Sequence, residues 1–298
     1  MLGTEKSENN RLERRFLIIS GLSGAGKTVV LHALEDFGFY CIDNLPVGIL
    51  ENLALNLREN NFPHIGDIAV GIDVRNHVKA IAELPSIIKG LGRQKFATEL
   101  VFIQASDETL LKRFSETSRR HPLFSEERSL TQAISLEREI LDSIVDSSHL
   151  RIDTSLQNVH ELRRVVRELV ANRTPDSFSM HFLSFGYKNG LPQDADFIFD
   201  VRGLPNPYWK ENLRDLSGKD PEVADFFSRN QAARETIIDV SSLLERWITR
   251  FVGMNRSYLT IAFGCTGGRH RSVYIAEKIA DIYKRKGKVA AISHRDCG

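Results

Sequence analysis

Two short stretches of this chain carry residue types at spacings suited to gripping phosphate. The first, Gly21-Leu22-Ser23-Gly24-Ala25-Gly26-Lys27-Thr28, reads G-x-x-x-x-G-K-[ST]. Its glycines let successive backbone N–H groups turn inward around phosphate oxygens where a Cβ would collide, and a helix beginning there adds partial positive charge. Lys27 would bridge the outer phosphates, and Thr28 would offer its hydroxyl to Mg²⁺. The second stretch, Cys265-Thr266-Gly267-Gly268-Arg269-His270-Arg271-Ser272, satisfies C-x5-R followed by Ser. There, backbone N–H groups and a guanidinium would hold a phosphate monoester beside a thiol whose pKa a helix N-terminus lowers. A phosphatase also needs a general acid, and Asp200 at a strand end is the candidate. Binding without turnover, covalent catalysis and a purely structural turn are three open readings of this loop.

The flanks place both loops. Phe16 to Ile19 reads as an apolar strand running into the first loop, and Val30, Ala33, Leu34 and Phe37 leave it at helical spacing, with Gly38 suited to a left-handed cap. Phe39 to Ile42 reads as a second buried strand delivering Asp43 and Asn44 to the same sheet edge. Ile68 to Ile72 is a third, ending in Asp73-Val74-Arg75-Asn76. An apolar strand ending in Asp is the Walker B pattern, and two strands here end that way. Asp73 is favoured, since Arg75 follows it toward the same site; either carboxylate could instead cap the next helix. After a strand at Leu100 to Ile103, Ser106-Asp107 starts a helix turning Leu110, Leu111 and Phe114 inward. Arg113, Arg119, Arg120 and His121 follow, either as a phosphate-closing lid or as a solvated helix end. Helix 129–146, a strand at Leu150 to Ile152, and a last helix started by Asp153-Thr154-Ser155 with Val159, Leu162, Val166, Leu169 and Val170 on one face complete the unit.

This alternation predicts an α/β fold: an N-terminal P-loop NTPase domain with a kinase-like parallel sheet over 16–174, preceded by a flexible stretch 1–15. Polar, proline-bearing Asn172 to Asp176 marks the boundary, and 177–298 reads as a smaller α/β domain with its own phosphate-binding loop, from strands at Met180 to Leu183, Ala195 to Phe199 and Tyr258 to Phe263. No [NT]-K-x-D element follows the first loop, so ATP and GTP are not distinguished. A net charge of +1 gives no global pull toward nucleic acid or membrane, although nine Lys/Arg against three acids fall from Arg256 onward. Three cysteines without metal-ligand spacing fit a reducing interior, and no apolar run approaches a signal or membrane span, so a cytoplasmic protein is expected.

With both loops read, the chain resembles the RapZ/YvcJ family of bacterial nucleotide-binding proteins across nearly its whole length. The likeness is carried by GLSGAGKT, YCIDNLP (Tyr40 to Pro46), GIDVRN (Gly71 to Asn76), RRHPL (Arg119 to Leu123), FDVRGLPNP (Phe199 to Pro207) and GCTGGRHRSV (Gly264 to Val273). It implies ATPase and GTPase activity, with nucleotide at Gly21 to Thr28 and again at Asp73, Val74, Arg75 and Asn76. In the enteric branch it implies an RNA-binding adapter that delivers a small RNA to an endoribonuclease and senses glucosamine-6-phosphate. That sugar phosphate would then touch Asp200, Arg202, Cys265, Thr266, Gly267, His270 and Arg271. Tyr208 stands where the sensing branch tends to have His, and Ser293 to Gly298 does not read as the lysine- and arginine-rich tail expected of the enteric adapters. Phosphate contacts would therefore fall to Lys284, Arg285, Lys286 and Lys288, or these would form a solvated helix end. A homo-oligomer is expected, and a small-molecule kinase is the enzymatic alternative.

Overall fold

The computed structural model describes residues 14–59, 64–93, 96–117, 119–171, 178–253 and 258–297. The expected domain boundary at 172–176 and most of the expected flexible N-terminus lie outside these residues.

Five parallel strands form the first sheet. In chain order they are β1 (Arg15–Gly21), β2 (Tyr40–Ile42), β3 (Ile68–Gly71), β4 (Ala97–Gln104) and β5 (Leu150–Asp153), arranged β2-β3-β1-β4-β5. A parallel strand with both faces covered reads as a continuous apolar run, which is why Phe16 to Ile19 and Leu100 to Ile103 carry no alternation and are buried. Arg15, at the end of the stretch expected to be flexible, opens β1 with its side chain buried and Nη1 donating to the Val170 carbonyl at 2.6 Å. β2 departs from the expected buried strand: among the described residues it is the sheet edge, paired only with β3, and Tyr40 is 51% exposed. The helices between the strands are α1 (Lys27–Glu35), α2 (Leu50–Arg58), α3 (Val78–Arg93), α4 (Asp107–Thr117), α5 (Leu130–Val145) and α6 (Val159–Val166), with a π-helical turn over Arg167–Ala171.

Local chemistry sets the ends of these elements. Behind α1 the chain reverses at Gly38, whose φ of 88° takes the left-handed cap that its sequence position predicts. α5 begins with a reciprocal box in which Ser129 accepts from the Gln132 N–H and Gln132 from the Ser129 N–H. α6 does not start at Asp153 as expected. Asp153 accepts from the N–H and hydroxyl of Ser155 and closes a tight turn, and Asn158 with Glu161 forms the capping box instead. The expected face is kept at Leu162, Val166, Leu169 and Val170, all buried, and only Val159, at its start, is instead half-exposed on a cavity wall.

The second sheet has four parallel strands, β6 (Ser179–Gly186), β7 (Phe197–Asp200), β8 (Tyr258–Cys265) and β9 (Val289–His294), arranged β7-β8-β6-β9. Helices α7 (Pro221–Ser228), α8 (Gln231–Gly253) and α9 (Arg271–Arg285) complete it. Its core centres on Phe182, Phe263, Phe227, Tyr274 and Tyr283. The two units meet along a polar and apolar seam: Tyr258 and Ala291 join the first core, the Tyr258 hydroxyl bonds Glu99 at 2.7 Å, and the Asp153 N–H donates to Asp194 at 3.2 Å. No described helix is long and apolar enough to cross a membrane.

Candidate nucleotide and anion sites

The first loop joins β1 to α1 on the floor of a cavity of about 670 Å³. Its amides divide into two sets. The N–H of Ser23 donates to Glu137 Oε2 at 2.9 Å and that of Ala25 to the Leu22 carbonyl at 3.1 Å, so these two are already used. Among the described residues no protein acceptor takes the N–H groups of Gly24, Gly26, Lys27 or Thr28. Lys27 and Thr28 begin α1, where first-turn N–H groups have no intrahelical partner and carry the positive end of the helix.

Lys27 folds back on the loop, with Nζ donating to the carbonyls of Gly21 at 2.6 Å and Leu22 at 3.1 Å. Burial draws its pKa down, against the nearby carboxylates of Glu137, Asp73 and Asp43, which push it up. A cation in this balance gains from a phosphate that replaces the two carbonyls. Asp73 is buried at the end of β3 and is held by Arg75, which donates to it from the backbone N–H at 3.0 Å and from Nε at 2.8 Å, with Nη2 at 2.7 Å. It caps no helix, since α3 starts only at Val78. Asp43 is exposed and lines the same cavity. Of the other residues expected at the nucleotide, Gly21, Leu22, Val74 and Asn76 are not on the cavity wall. Leu22 and Val74 turn into the core, and Asn76 ties the 45–47 segment by accepting from the Val47 N–H at 2.8 Å.

Sequence reasoning assigned no role to Glu137. It is fully buried beneath the loop, accepting from the Ser23 N–H, from the Ser23 hydroxyl at 2.7 Å and from His121 at 3.0 Å. His121 Nδ1 accepts from the Leu123 N–H, so the ring proton sits on Nε2 and points at the carboxylate. The segment around Arg119 and Arg120 is thus not a helix end: α4 stops at Thr117, both arginines are exposed on the cavity wall, and His121 pins the segment to the loop's own support. The available signal was a charged residue on the apolar stripe Ala133, Ile134, Glu137, Leu141 and Ile144. Arg113 lies apart from that segment, donating to the Gly24 carbonyl, the Thr154 hydroxyl and the Thr154 carbonyl, and so fastens the loop to the turn after β5.

The second loop joins β8 to α9. Cys265 is buried, its Sγ accepts from the Gly268 N–H at 3.2 Å, and the Ser272 hydroxyl lies 3.2 Å away. Burial pushes this thiol up, but hydrogen bonds from Ser272 and Gly268, with Arg271 alongside, outweigh it and bring the pKa below the ordinary value. Gly268 has φ 74°, and a Cβ there would lie 2.6 Å from the Gly186 nitrogen, so only glycine lets the loop turn this tightly against β6. Arg271 Nη1 donates to the carbonyls of Arg202 at 2.7 Å and Leu204 at 3.3 Å, locking the turn after β7 to the loop, and Nη2 reaches the Thr266 hydroxyl at 3.2 Å. Asp200 and Arg202 form an exposed bidentate pair, with the guanidinium 4.2 Å over the Tyr187 ring. The bonds from Arg202 hold the Asp200 carboxyl below its ordinary range. His270 does not aim its ring at the loop: the side chain is buried with Nε2 3.1 Å from the Leu213 carbonyl, and only its backbone is available to an anion. Of the basic cluster, Arg285 pairs with Asp281 at 2.6 Å and Lys286 with Glu245.

Family models for the RapZ-like N-terminal domain and the RapZ C-terminal domain match residues 15–174 and 178–298. A nucleotide-binding protein of Alcanivorax borkumensis is 48% identical over 95% of this chain and 99% of its own length. A nucleotide-binding protein of Ectopseudomonas mendocina is 44% identical over the same shares. Among solved structures, a shikimate kinase from Acinetobacter baumannii is similar over 53% of this chain and 94% of that one, at 17% identity and a TM-score of 0.35.

Proposed function

The chain belongs to the RapZ-like family, and on that footing we propose a regulatory nucleotide-binding protein that hydrolyses ATP and GTP slowly at its first loop and holds a phosphorylated metabolite at its second. The observation that carries the first half is that the N–H groups of Gly24, Gly26, Lys27 and Thr28 have no acceptor among the described residues and lie, with the Lys27 side chain, on the floor of a cavity of about 670 Å³. In this reading Lys27 leaves the carbonyls of Gly21 and Leu22 for the outer phosphates, and Arg113 keeps the loop in register with the turn after β5. The hydroxyl of Thr28 and the carboxylates of Asp43 and Asp73 are hard oxygen donors, a set that fits Mg²⁺, and the bound ion would neutralise charge on the outer phosphates. Arg119 and Arg120, exposed on the cavity wall, would add positive charge where it builds up in transfer. The second loop supports a phosphate-bearing ligand such as glucosamine-6-phosphate through its main-chain N–H groups and Arg271.

The test is steady-state hydrolysis of ATP and GTP with the intact chain. Lys27→Ala is expected to lower turnover of both at least tenfold, and unchanged turnover would contradict the assignment. A kinase reading is favoured by the same two cavity-wall arginines; it requires phosphoryl transfer from ATP to a hydroxylated metabolite, whereas hydrolysis alone counts against it. The RNA-adapter reading has less support, because two of the four basic side chains expected to meet RNA phosphates already have acidic partners in Asp281 and Glu245.

A further inference from the structure

We infer that Cys265 is a phosphoryl-accepting nucleophile, and that the second loop turns over phosphate esters and anhydrides whose leaving group departs without a proton, the class of aryl phosphates and acyl phosphates. This deepens, and rests on, the reading of that loop as an anion site. Three arrangements carry it. The first is the setting of sulfur: Sγ accepts from the Gly268 N–H and lies against the Ser272 hydroxyl, both at 3.2 Å, which stabilises a thiolate as attacking and as leaving group.

The second is Arg271, only 6% exposed. Its Nη1 is spent on the Arg202 and Leu204 carbonyls, and Nη2 reaches across to Thr266 within the loop. Nε is buried with no partner among the described residues. A buried guanidinium N–H without an acceptor is costly, and the Nε–Nη2 edge is the fork that fits two oxygens of one phosphate. The third is the main chain: no protein acceptor takes the N–H groups of Gly267, Arg269, His270 or Arg271 among the described residues. Sulfur, guanidinium fork and amides therefore belong to one turn at the start of α9.

The restriction on leaving group comes from Asp200. Arg202 grips both of its oxygens, Nε on Oδ1 at 3.0 Å and Nη2 on Oδ2 at 2.7 Å, which keeps the carboxylate ionised and removes it as a proton donor. In the first step the thiolate attacks phosphorus, the P–S bond forms, and the P–O bond breaks with its electron pair leaving on the phenolate or carboxylate oxygen. In the second, water attacks phosphorus, the P–S bond breaks with its pair returning to sulfur, and both water protons depart on dihydrogen phosphate. No oxidant or metal enters either step.

The test uses the intact chain with p-nitrophenyl phosphate, and ¹⁵N-glycine labelling to follow the amides of Gly267 and Gly268 as inorganic phosphate is added. Wild type is expected to release p-nitrophenolate with a burst stoichiometric with protein, to carry phosphate on the Cys265 peptide, and to shift both amides. Cys265→Ser should still shift its glycine amides but lose p-nitrophenolate release at least a hundredfold, and Cys41→Ser should match wild type. Amide shifts without phosphocysteine, or equal release by Cys265→Ser, would overturn the inference and leave the anion site standing. Absence of any shift at Gly267 and Gly268 would overturn both.

Discussion

Glu137 decides how the first loop is held, because its two oxygens serve three donors, the Ser23 N–H, the Ser23 hydroxyl and His121. Replacing it by Gln keeps an oxygen for the Ser23 N–H and His121, and the serine hydroxyl can rotate to accept from the new amide. Replacing it by Leu strands three buried donors, at about 1–3 kcal/mol for each that finds no other acceptor. Glu137→Leu is therefore expected to weaken equilibrium nucleotide binding tenfold or more, with Glu137→Gln within about threefold of wild type. Equal losses in the two variants would mean that the carboxylate charge beside Lys27 matters, not the bonds. The residue was visible in the sequence only as a misfit: one charge on an apolar helical stripe. Its partners were not, since Ser23 and His121 lie 114 and 16 residues away in the chain, and no local rule joins them. The placing of the glycines and Lys27 at the turn from β1 to α1, and of Cys265 and Arg271 at the turn from β8 to α9, was legible because a motif fixes both residue type and spacing. His270 shared that spacing yet turned its ring to Leu213, an outcome decided by a loop with no motif of its own.

Among the elements, those with a single strong period were readable in advance. β1, β4 and β8 announce themselves as apolar runs, and α5 by apolar residues at helical spacing. β2 was read as buried because Phe39 to Ile42 is as apolar as the others, but its place at the sheet edge is a property of strand order that composition does not carry. The start of α6 was misread for a chemical reason: Asp, Ser and Asn can all cap, and the chain uses Asp153 for a turn and Asn158 for the helix. α3 contains Pro85, which hides a sixteen-residue helix from any reading that treats proline as a stop. β9, the last strand, pairs with β6 more than a hundred residues earlier, so its existence is a tertiary fact.

At the scale of the whole molecule the two sheets meet across a cavity of about 920 Å³, and Arg113 and Gln157 line both it and the cavity over the first loop. Asp194 sits at this seam, and burial, with Asp153 beside it, pushes its pKa up to about 7. Between the unfolded value near 3.8 and the folded value near 7 the native state binds more protons, so this group's contribution to stability falls as pH rises through that window. His181, pulled down to about 4 by burial, acts in the opposite sense: it costs stability as pH falls below its unfolded value of 6.5. Asp194→Asn is therefore expected to remove the falling limb, so that the stability difference between variant and wild type grows from pH 4 to pH 7, at about 1.4 kcal/mol per unit of pKa shift. Urea unfolding at three pH values checks this, and a constant difference would contradict it.

The measurement that bears most directly on two separate anion cradles is an amide titration of ¹⁵N-glycine-labelled intact chain, once with Mg·ADP and once with glucosamine-6-phosphate. If each loop is its own site, Mg·ADP moves the resonances of Gly24 and Gly26 and leaves Gly267 and Gly268 in place, and the sugar phosphate does the reverse. Movement of all four by one ligand, or of none by either, would contradict it.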